Sequence, residues 1–194
     1  MSNFKSVEEF SVKTIEISGF TAVSAALRLP YGNKNKPKPG DPLDVDSVVI
    51  DDRNDSYIMY SSDTKLISTL VKRGDEHSKV LRGLVVYVEI NAPRYWWVEM
   101  DTYRIGAERL SSESTMHIQG KGLDTDALID LKEKLSEGTM QKRVWMFSYQ
   151  TLRRIYFQRK DHRLPQWHTF CEWIESLPFA SEFITIQKES NKTN

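Results

Sequence analysis

Arg94, Arg104, Arg153, Arg154 and Arg159 fall in the second half of the 194-residue chain, interleaved with Tyr95, Trp96, Trp97, Tyr103, Tyr149 and Tyr156. A guanidinium is a planar fork of donors that grips phosphate or carboxylate bidentately, and its face stacks on aromatic rings. Arg94 and Arg104 bracket an aromatic segment, and Arg153 and Arg159 lie almost two helical turns apart. Taken singly, each arginine reads as one half of a surface ion pair. As a set they carry more weight, because Arg94 and Arg153 stand in apolar surroundings where an unpaired charge is costly. A bound anion would relieve that cost. A second polar group, Ser111-Ser112-Glu113-Ser114-Thr115-Met116-His117, can offer hydroxyls and backbone N–H groups to a phosphate or heterocycle, or serve as an ordinary polar turn.

Other chemistries lack their residues. The chain has no glycine-rich phosphate loop of Rossmann or P-loop spacing, and no serine in a Gly-x-Ser-x-Gly elbow. His77, His117, His162 and His168 are scattered, which gives no metal site of metalloprotease type. The lone Cys171 excludes an intrachain disulfide, and its apolar neighbours point to packing rather than to a reactive thiol. The 27 basic and 27 acidic residues balance, which argues against a general nucleic-acid binder. The charges are nonetheless segregated: residues 36 to 63 are acid-rich (Asp41, Asp44, Asp46, Asp51, Asp52, Asp55, Asp63), and residues 142 to 163 are basic. No stretch approaches the ~20 apolar residues of a membrane span, and no signal peptide opens the chain, so the cytoplasm is the expected compartment.

The elements that must position these residues form a mixed α/β pattern. The length suits one domain, residues 1 to 188, followed by a polar tail at 189 to 194. Alternation within residues 8 to 19 predicts a strand, and Thr21 to Arg28 fits a short helix or a second strand. The Pro-, Gly- and Lys-rich stretch from Pro30 to Pro42 is a loop long enough to act as a lid. A weaker strand is expected at Val45 to Ile50. Ser62-Asp63 can cap a helix running to Arg73, with Gly74 at its C-terminal end. Leu84 to Ile90 reads as a buried central strand, and Pro93 suits the first turn of the helix that follows. Residues 111 to 117 read as irregular, and a helix is expected from about Thr125 to Ser136. The spacing predicts helix through Trp145 to Phe157, a turn at His162 to Pro165, and an amphipathic helix from Gln166 to Ser176 that buries Trp167, Phe170, Cys171 and Ile174.

In order and content, four blocks resemble the flavin-dependent thymidylate synthases. Leu66 to Lys79, with Gly74 and His77, is similar to the helix and turn before that family's central strand. Val85 to Arg94 resembles the strand that runs into its signature helix. Trp96 to Arg104, continued to Ser114-Thr115-Met116-His117, stands where the signature RHRxxSxNExSxR belongs. Ser148 to Arg159, followed by Gln166-Trp167, resembles its C-terminal helices. The resemblance spans about residues 64 to 177 and implies a central, mostly antiparallel sheet packed with long helices, of the thymidylate synthase-complementing type, with a helix-rich second half.

It further implies binding of FAD and dUMP and methylation, or other modification, of uracil C5. Methylenetetrahydrofolate would donate the carbon and NADPH the electrons, and no protein nucleophile is involved. Carried over residue by residue, Arg159, Ser114, Ser112 and Arg153 would hold the nucleotide. Arg104, Tyr103, Arg94, His77, Gln150 and Arg154 would hold the flavin. The pattern departs at Thr102 and Tyr103, which replace Arg-His, and at Met116, which replaces the final arginine. Such departures also allow a non-catalytic nucleotide- or flavin-binding module on the same fold. The family forms homotetramers with shared sites, and the five Trp, eight Tyr and eight Phe of this chain suit either such contacts or a large core.

Overall fold

The computed structural model describes residues 9 to 31, 45 to 50 and 56 to 187. The expected lid at Pro30 to Pro42 lies almost wholly outside these residues. So do half of the acid-rich stretch and the whole polar tail.

Four strands form an antiparallel sheet in the order β1-β4-β6-β5: β1 (Ser11–Ser18), β4 (Val85–Pro93), β6 (Met140–Ser148) and β5 (Ala107–Ser112). A separate hairpin pairs β2 (Val45–Ile50) with β3 (Ser56–Tyr60). The central strand β4 alternates as a half-covered sheet requires. Val86, Val88, Ile90 and Ala92 are fully buried, whereas Val85, Tyr87 and Glu89 on the other face are half-buried. In β6, Trp145 and Phe147 stand opposite Val88 and Val86 and extend the buried face.

Among the described residues, eight helices accompany the sheet. They are α1 (Phe20–Arg28), α2 (Ser61–Arg73), α3 (Arg94–Met100), α4 (Thr115–Ile118), α5 (Thr125–Glu133), α6 (Tyr149–Arg159), α7 (Pro165–Glu175) and α8 (Ala180–Phe183). All but α4 and α5 add buried residues to the core. Helix α2 stops at Gly74, whose φ of 127° suits glycine. Helix α7 buries Trp167, Phe170, Cys171 and Ile174, the spacing expected of an amphipathic helix. The tryptophans meet in the middle: Trp96 lies 4.7 Å from Trp167 and 5.0 Å from Trp97, and Trp97 stacks on Trp145 at 6.2 Å. Trp96, Trp97, Trp145 and Trp167 are buried and Trp173 is half-buried, so the core accounts for the tryptophan content. Arg28 donates to Asp63 at 2.6 Å and lies 4.4 Å above the Tyr60 ring, tying α1 to α2.

Two expectations need correction. The segment from Trp145 to Phe157 is not one helix. Residues through Ser148 belong to β6, which pairs with β4 along all nine residues and also with β5. The helix starts at Tyr149, where Ser148 Oγ accepts from the Thr151 amide and serves as N-cap. Residues 111 to 117 are also not irregular throughout. Ser111 and Ser112 end β5 opposite Val144 and Arg143, and Ser114 precedes the single turn of α4. In addition, β3 and α8 carry too short a pattern to have been expected. No helix among the described residues is long and apolar enough to cross a membrane.

Candidate functional site

Arg104 and Arg154 line two different clefts beside the turn between α3 and β5. Helix α3 ends at Met100 with Asp101 as its C-cap, and Tyr103 and Arg104 follow in the turn. Gly106, at φ 71°, then lets the chain enter β5. A Cβ at Gly106 would lie 2.5 Å from Thr151 Oγ1 and 2.7 Å from Ser148 Oγ, so the turn sits directly on the start of α6. Ser148 N–H donates to the Gly106 carbonyl at 2.8 Å, and Thr151 Oγ1 donates to the Ile105 carbonyl at 2.7 Å.

On one side of this turn opens a cleft of about 450 Å³, lined by Tyr103, Arg104, Arg109 and Trp145 together with Asp101 and Glu108. Arg104 is exposed and gives only a long 3.3 Å bond from Nε to the Asp101 carbonyl. Both Asp101 carboxylate oxygens accept from Arg143 at 3.0 Å, while Arg109 stands 3.9 Å from one of them. Arg143 also lies 4.4 Å above the Trp97 ring. Burial pulls the Arg143 guanidinium below its usual value and Asp101 opposes that, while Arg109 and Arg94 add to the depression.

On the other side a cavity of about 220 Å³ lies among Arg82, Ile105, Gln150, Thr151 and Arg154. Arg154 donates from Nη2 to the Ile105 carbonyl at 2.9 Å, and its buried Nε has no hydrogen-bond partner among the described residues. Gln150 is spent on structure: it accepts from Arg82 Nε at 2.7 Å and donates to the Asp75 carbonyl at 2.9 Å. Arg154 also borders a third cavity of about 420 Å³ with Arg153, Phe157, Lys160 and Asp75.

The remaining residues picked out from the sequence fall as follows. Arg159 donates from Nη1 to Glu99 Oε2 and from Nε to Tyr103 Oη, each at 2.7 Å, and packs 4.6 Å above the Trp167 ring. Tyr103 thereby links Arg159 to the cleft that Arg104 lines. Arg153 does not carry the uncompensated charge expected of it. Its Nη1 donates to the Ile184 carbonyl at 2.6 Å and to the Ile186 carbonyl, its guanidinium lies 4.8 Å above Phe157, and burial lowers its pKa against the pull of Asp75. Arg94 keeps a buried Nε without a partner among the described residues. It shares a small cavity of about 40 Å³ with Ser114, whose hydroxyl lies 2.9 Å from His117 Nδ1. Ser112 is exposed on β5, and His77 is exposed with Nε2 3.6 Å from Glu76 Oε1. Thus the fold joins Arg104 with Tyr103 and Arg159, Arg94 with Ser114, and Arg154 with Gln150 and Arg153. Ser112 and His77 stand apart from these groups.

Sequence reasoning missed Arg82, Glu99, Arg109, Arg143 and Trp145. Glu99 left a readable signal, as the one carboxylate within Trp96-Trp97-Val98-Glu99-Met100. It accepts from Arg159 and from Trp167 Nε1 at 2.9 Å, with His162 Nε2 at 3.4 Å. Arg109 and Trp145 carried no such signal, because only the β5–β6 register sets them opposite each other. Among the described residues, no group of three or more His, Cys, Asp or Glu is placed to hold a metal ion.

No protein-family model matches the chain, and no curated protein matches it by sequence. Solved structures match by shape. The chain is similar to thymidylate synthase X from Helicobacter pylori, crystallised with FAD and dUMP, at a TM-score of 0.65 and 13% identity, covering 91% of this chain and 98% of that one. A second structure of that enzyme with FAD and dUMP aligns at 0.64 and 14% identity, covering 92% and 100%. The UMP/dUMP methylase PolB from Streptomyces cacaoi, bound to 5-Br dUMP, aligns at 0.57 and 12%, covering 86% and 88%. At these identities the likeness lies in the fold: an antiparallel four-stranded sheet packed with helices, as in the flavin-dependent thymidylate synthases.

Proposed function

We propose that the chain is a divergent relative of the flavin-dependent thymidylate synthases. It would bind FAD and a pyrimidine deoxynucleotide, dUMP, and modify uracil at C5, with methylenetetrahydrofolate as carbon donor and NADPH as reductant. The observation that supports this most is the backbone match over 98% of an enzyme crystallised with FAD and dUMP, in a chain whose own clefts are rimmed by arginines. The donor set fits phosphate-bearing ligands. Arg154 and Arg94 each hold back a buried Nε–H from any described partner, and Arg104 is almost wholly uncommitted.

In this reading Arg94 and Arg154 hold the flavin and its phosphates, with Gln150 fixing Arg82 beside them and His77 at the outer edge, and Arg104 and Tyr103 line the cleft beside β5 that receives a phosphate group. Ser114 and Ser112 serve the nucleotide, and Arg159, which resembles a substrate contact, is held by Glu99 and Tyr103 at the edge of the site. Arg153 supports the site by anchoring Ile184 and Ile186 behind α6. FAD, when bound and reduced by NADPH, would supply the hydride that reduces the carbon delivered by the folate. The chain contributes binding, orientation and electrostatics. Cys171 takes no part, because burial, aided by Glu175, pushes its thiol up to about 12. A cytoplasmic homotetramer with shared sites completes the reading, and light scattering checks the assembly.

One observation favours a non-catalytic nucleotide- or flavin-binding module instead. Glu99 already neutralises Arg159, and Met116 stands where the signature ends in arginine. A flavoenzyme will purify yellow, or take up added FAD, with absorbance near ~450 nm, and will release tritium from C5-labelled dUMP when folate and reductant are present. FAD uptake without tritium release selects the module. Colourless protein that takes up no FAD overturns the flavin assignment altogether.

A further inference from the structure

We propose that the cleft beside β5 is a phosphate-receiving site in which Arg104, Arg109 and the indole N–H of Trp145, rather than Arg159, hold a ligand's phosphate. This deepens the nucleotide reading and rests on it only for what the phosphate is attached to.

Arg159 is already engaged. A carboxylate accepts its Nη1 at 2.7 Å, a phenol accepts its Nε at 2.7 Å, and the Trp167 ring covers its face. A phosphate placed there meets the charge of Glu99, which two donors, Arg159 and Trp167, fix in position. The cleft beside β5 presents the opposite balance. Of its two acids, Asp101 is bonded through both oxygens to Arg143, which leaves Glu108 alone to face the two arginines Arg104 and Arg109. Arg109 is half-exposed, and its ion pair with Asp101 stretches to 3.9 Å. Arg104 spends one N–H, on a backbone carbonyl.

Trp145 supplies the independent observation. It is 96% buried by its 4% exposure and lines this cleft, yet its Nε1–H finds no hydrogen-bond partner among the described residues. Buried donors are rarely left in that state. Arg109 and Trp145 are cross-strand partners, so their side chains leave the same face of the sheet. Tyr103 adds a fourth donor, because its oxygen accepts from Arg159 and its own proton is left for an acceptor. Two guanidinium forks, an indole N–H and a phenol suit the tetrahedral dianion of a phosphomonoester. The volume of about 450 Å³ leaves room for an attached ring.

The test measures ³¹P line broadening of inorganic phosphate and of dUMP on the full chain, and compares Arg109→Gln, Trp145→Phe and Arg159→Gln with the parent. Arg109→Gln changes a half-exposed side chain, so folding should survive, and circular dichroism checks it. Arg109→Gln is expected to weaken both ligands roughly tenfold, Trp145→Phe about threefold, and Arg159→Gln less than about twofold. Loss through Arg159→Gln with Arg109→Gln unaffected overturns the proposal while leaving dUMP binding intact. Arg109-dependent binding of inorganic phosphate without dUMP binding supports the proposal and sinks the nucleotide reading. A parent chain that broadens neither signal overturns the phosphate site.

Discussion

Replacing Trp167 with alanine removes the residue on which the core and the Arg159 cluster both rest. Its side chain is fully buried, with ring contacts to Trp96 at 4.7 Å, Phe170 at 5.8 Å and Tyr103 at 6.2 Å. Burying a tryptophan removes roughly 150–250 Å² from water, which at about 25 cal/mol per Å² is worth some 4–6 kcal/mol. Partial collapse of the vacated space returns some of that, so a net loss of about 3–5 kcal/mol is expected. The indole N–H adds a separable part. It donates to Glu99 at 2.9 Å, and Glu99 is partly exposed and keeps Arg159 as a second donor, so loss of this one bond costs only about 1 kcal/mol. Trp167→Phe keeps most of the ring and loses the donor, and should cost about 1–2 kcal/mol. Urea unfolding followed by far-ultraviolet circular dichroism resolves the difference, since an m-value of about 2–3 kcal/mol/M turns the alanine loss into a midpoint shift of more than about 1 M. Equal midpoints for parent and alanine variant would refute the assignment of Trp167 to the core. A phenylalanine variant as unstable as the alanine one would place the energy in the hydrogen bond rather than in the packing.

Two further outcomes follow from the same packing. The Tyr156 hydroxyl donates to Glu175 at 2.7 Å, and this bond, with burial second, raises its pKa from 10.0 to about 12; burial raises Cys171 from 9.0 to about 12. In both groups the unfolded chain loses its proton first, so stability is whole below pH 9 and falls as the pH climbs towards 12. The urea midpoint should drop over that window, and Cys171→Ala with Tyr156→Phe should flatten the drop; an unaltered slope in the double variant rejects the linkage. Gly106→Ala places a Cβ 2.5 Å from Thr151 Oγ1 at a φ of 71°, and should lower stability by about 1–3 kcal/mol. An unchanged thermal midpoint would show that the turn gives way freely.

How much of this was legible in the sequence varies by element, for a physical reason in each case. Helix α7 announces itself because Trp167, Phe170, Cys171 and Ile174 follow a 3.6-residue period and all four are buried. Strand β4 does so because Val85, Val86, Val88 and Ile90 suit a pleated surface. Strand β6 was misread because Trp145, Tyr149 and Leu152 also fit a helical stripe, and no Gly or Pro separates the strand from the true helix at Tyr149. What decides between the two periods is pairing with β4 and β5, which no local pattern records. The resemblance to the flavin-dependent thymidylate synthases anticipated the antiparallel sheet and helical layer that the structural neighbours share.

The candidate site was legible as a set of cations, but not in how each cation is compensated, and compensation determines what a cation can bind. Arg153 looked uncompensated in the sequence, yet backbone carbonyls of Ile184 and Ile186 satisfy it, from more than 30 residues away along the chain. Arg159 looked free, yet Glu99 reaches it from α3. Arg104 stands among the arginines singled out in the sequence and Arg109 does not, and both have donors to spare because Arg143, two strand positions from Trp145, takes the carboxylate they would otherwise share. In each case the partner is brought by tertiary structure, while the cation itself is written locally. An arginine's presence can therefore be inherited along with a fold while its role moves with a single carboxylate. Glu99 is such a carboxylate: bonded to Arg159 and Trp167, it turns a position that resembles a substrate contact into an internal strut, while Arg104 and Arg109 keep their donors open in the cleft they line.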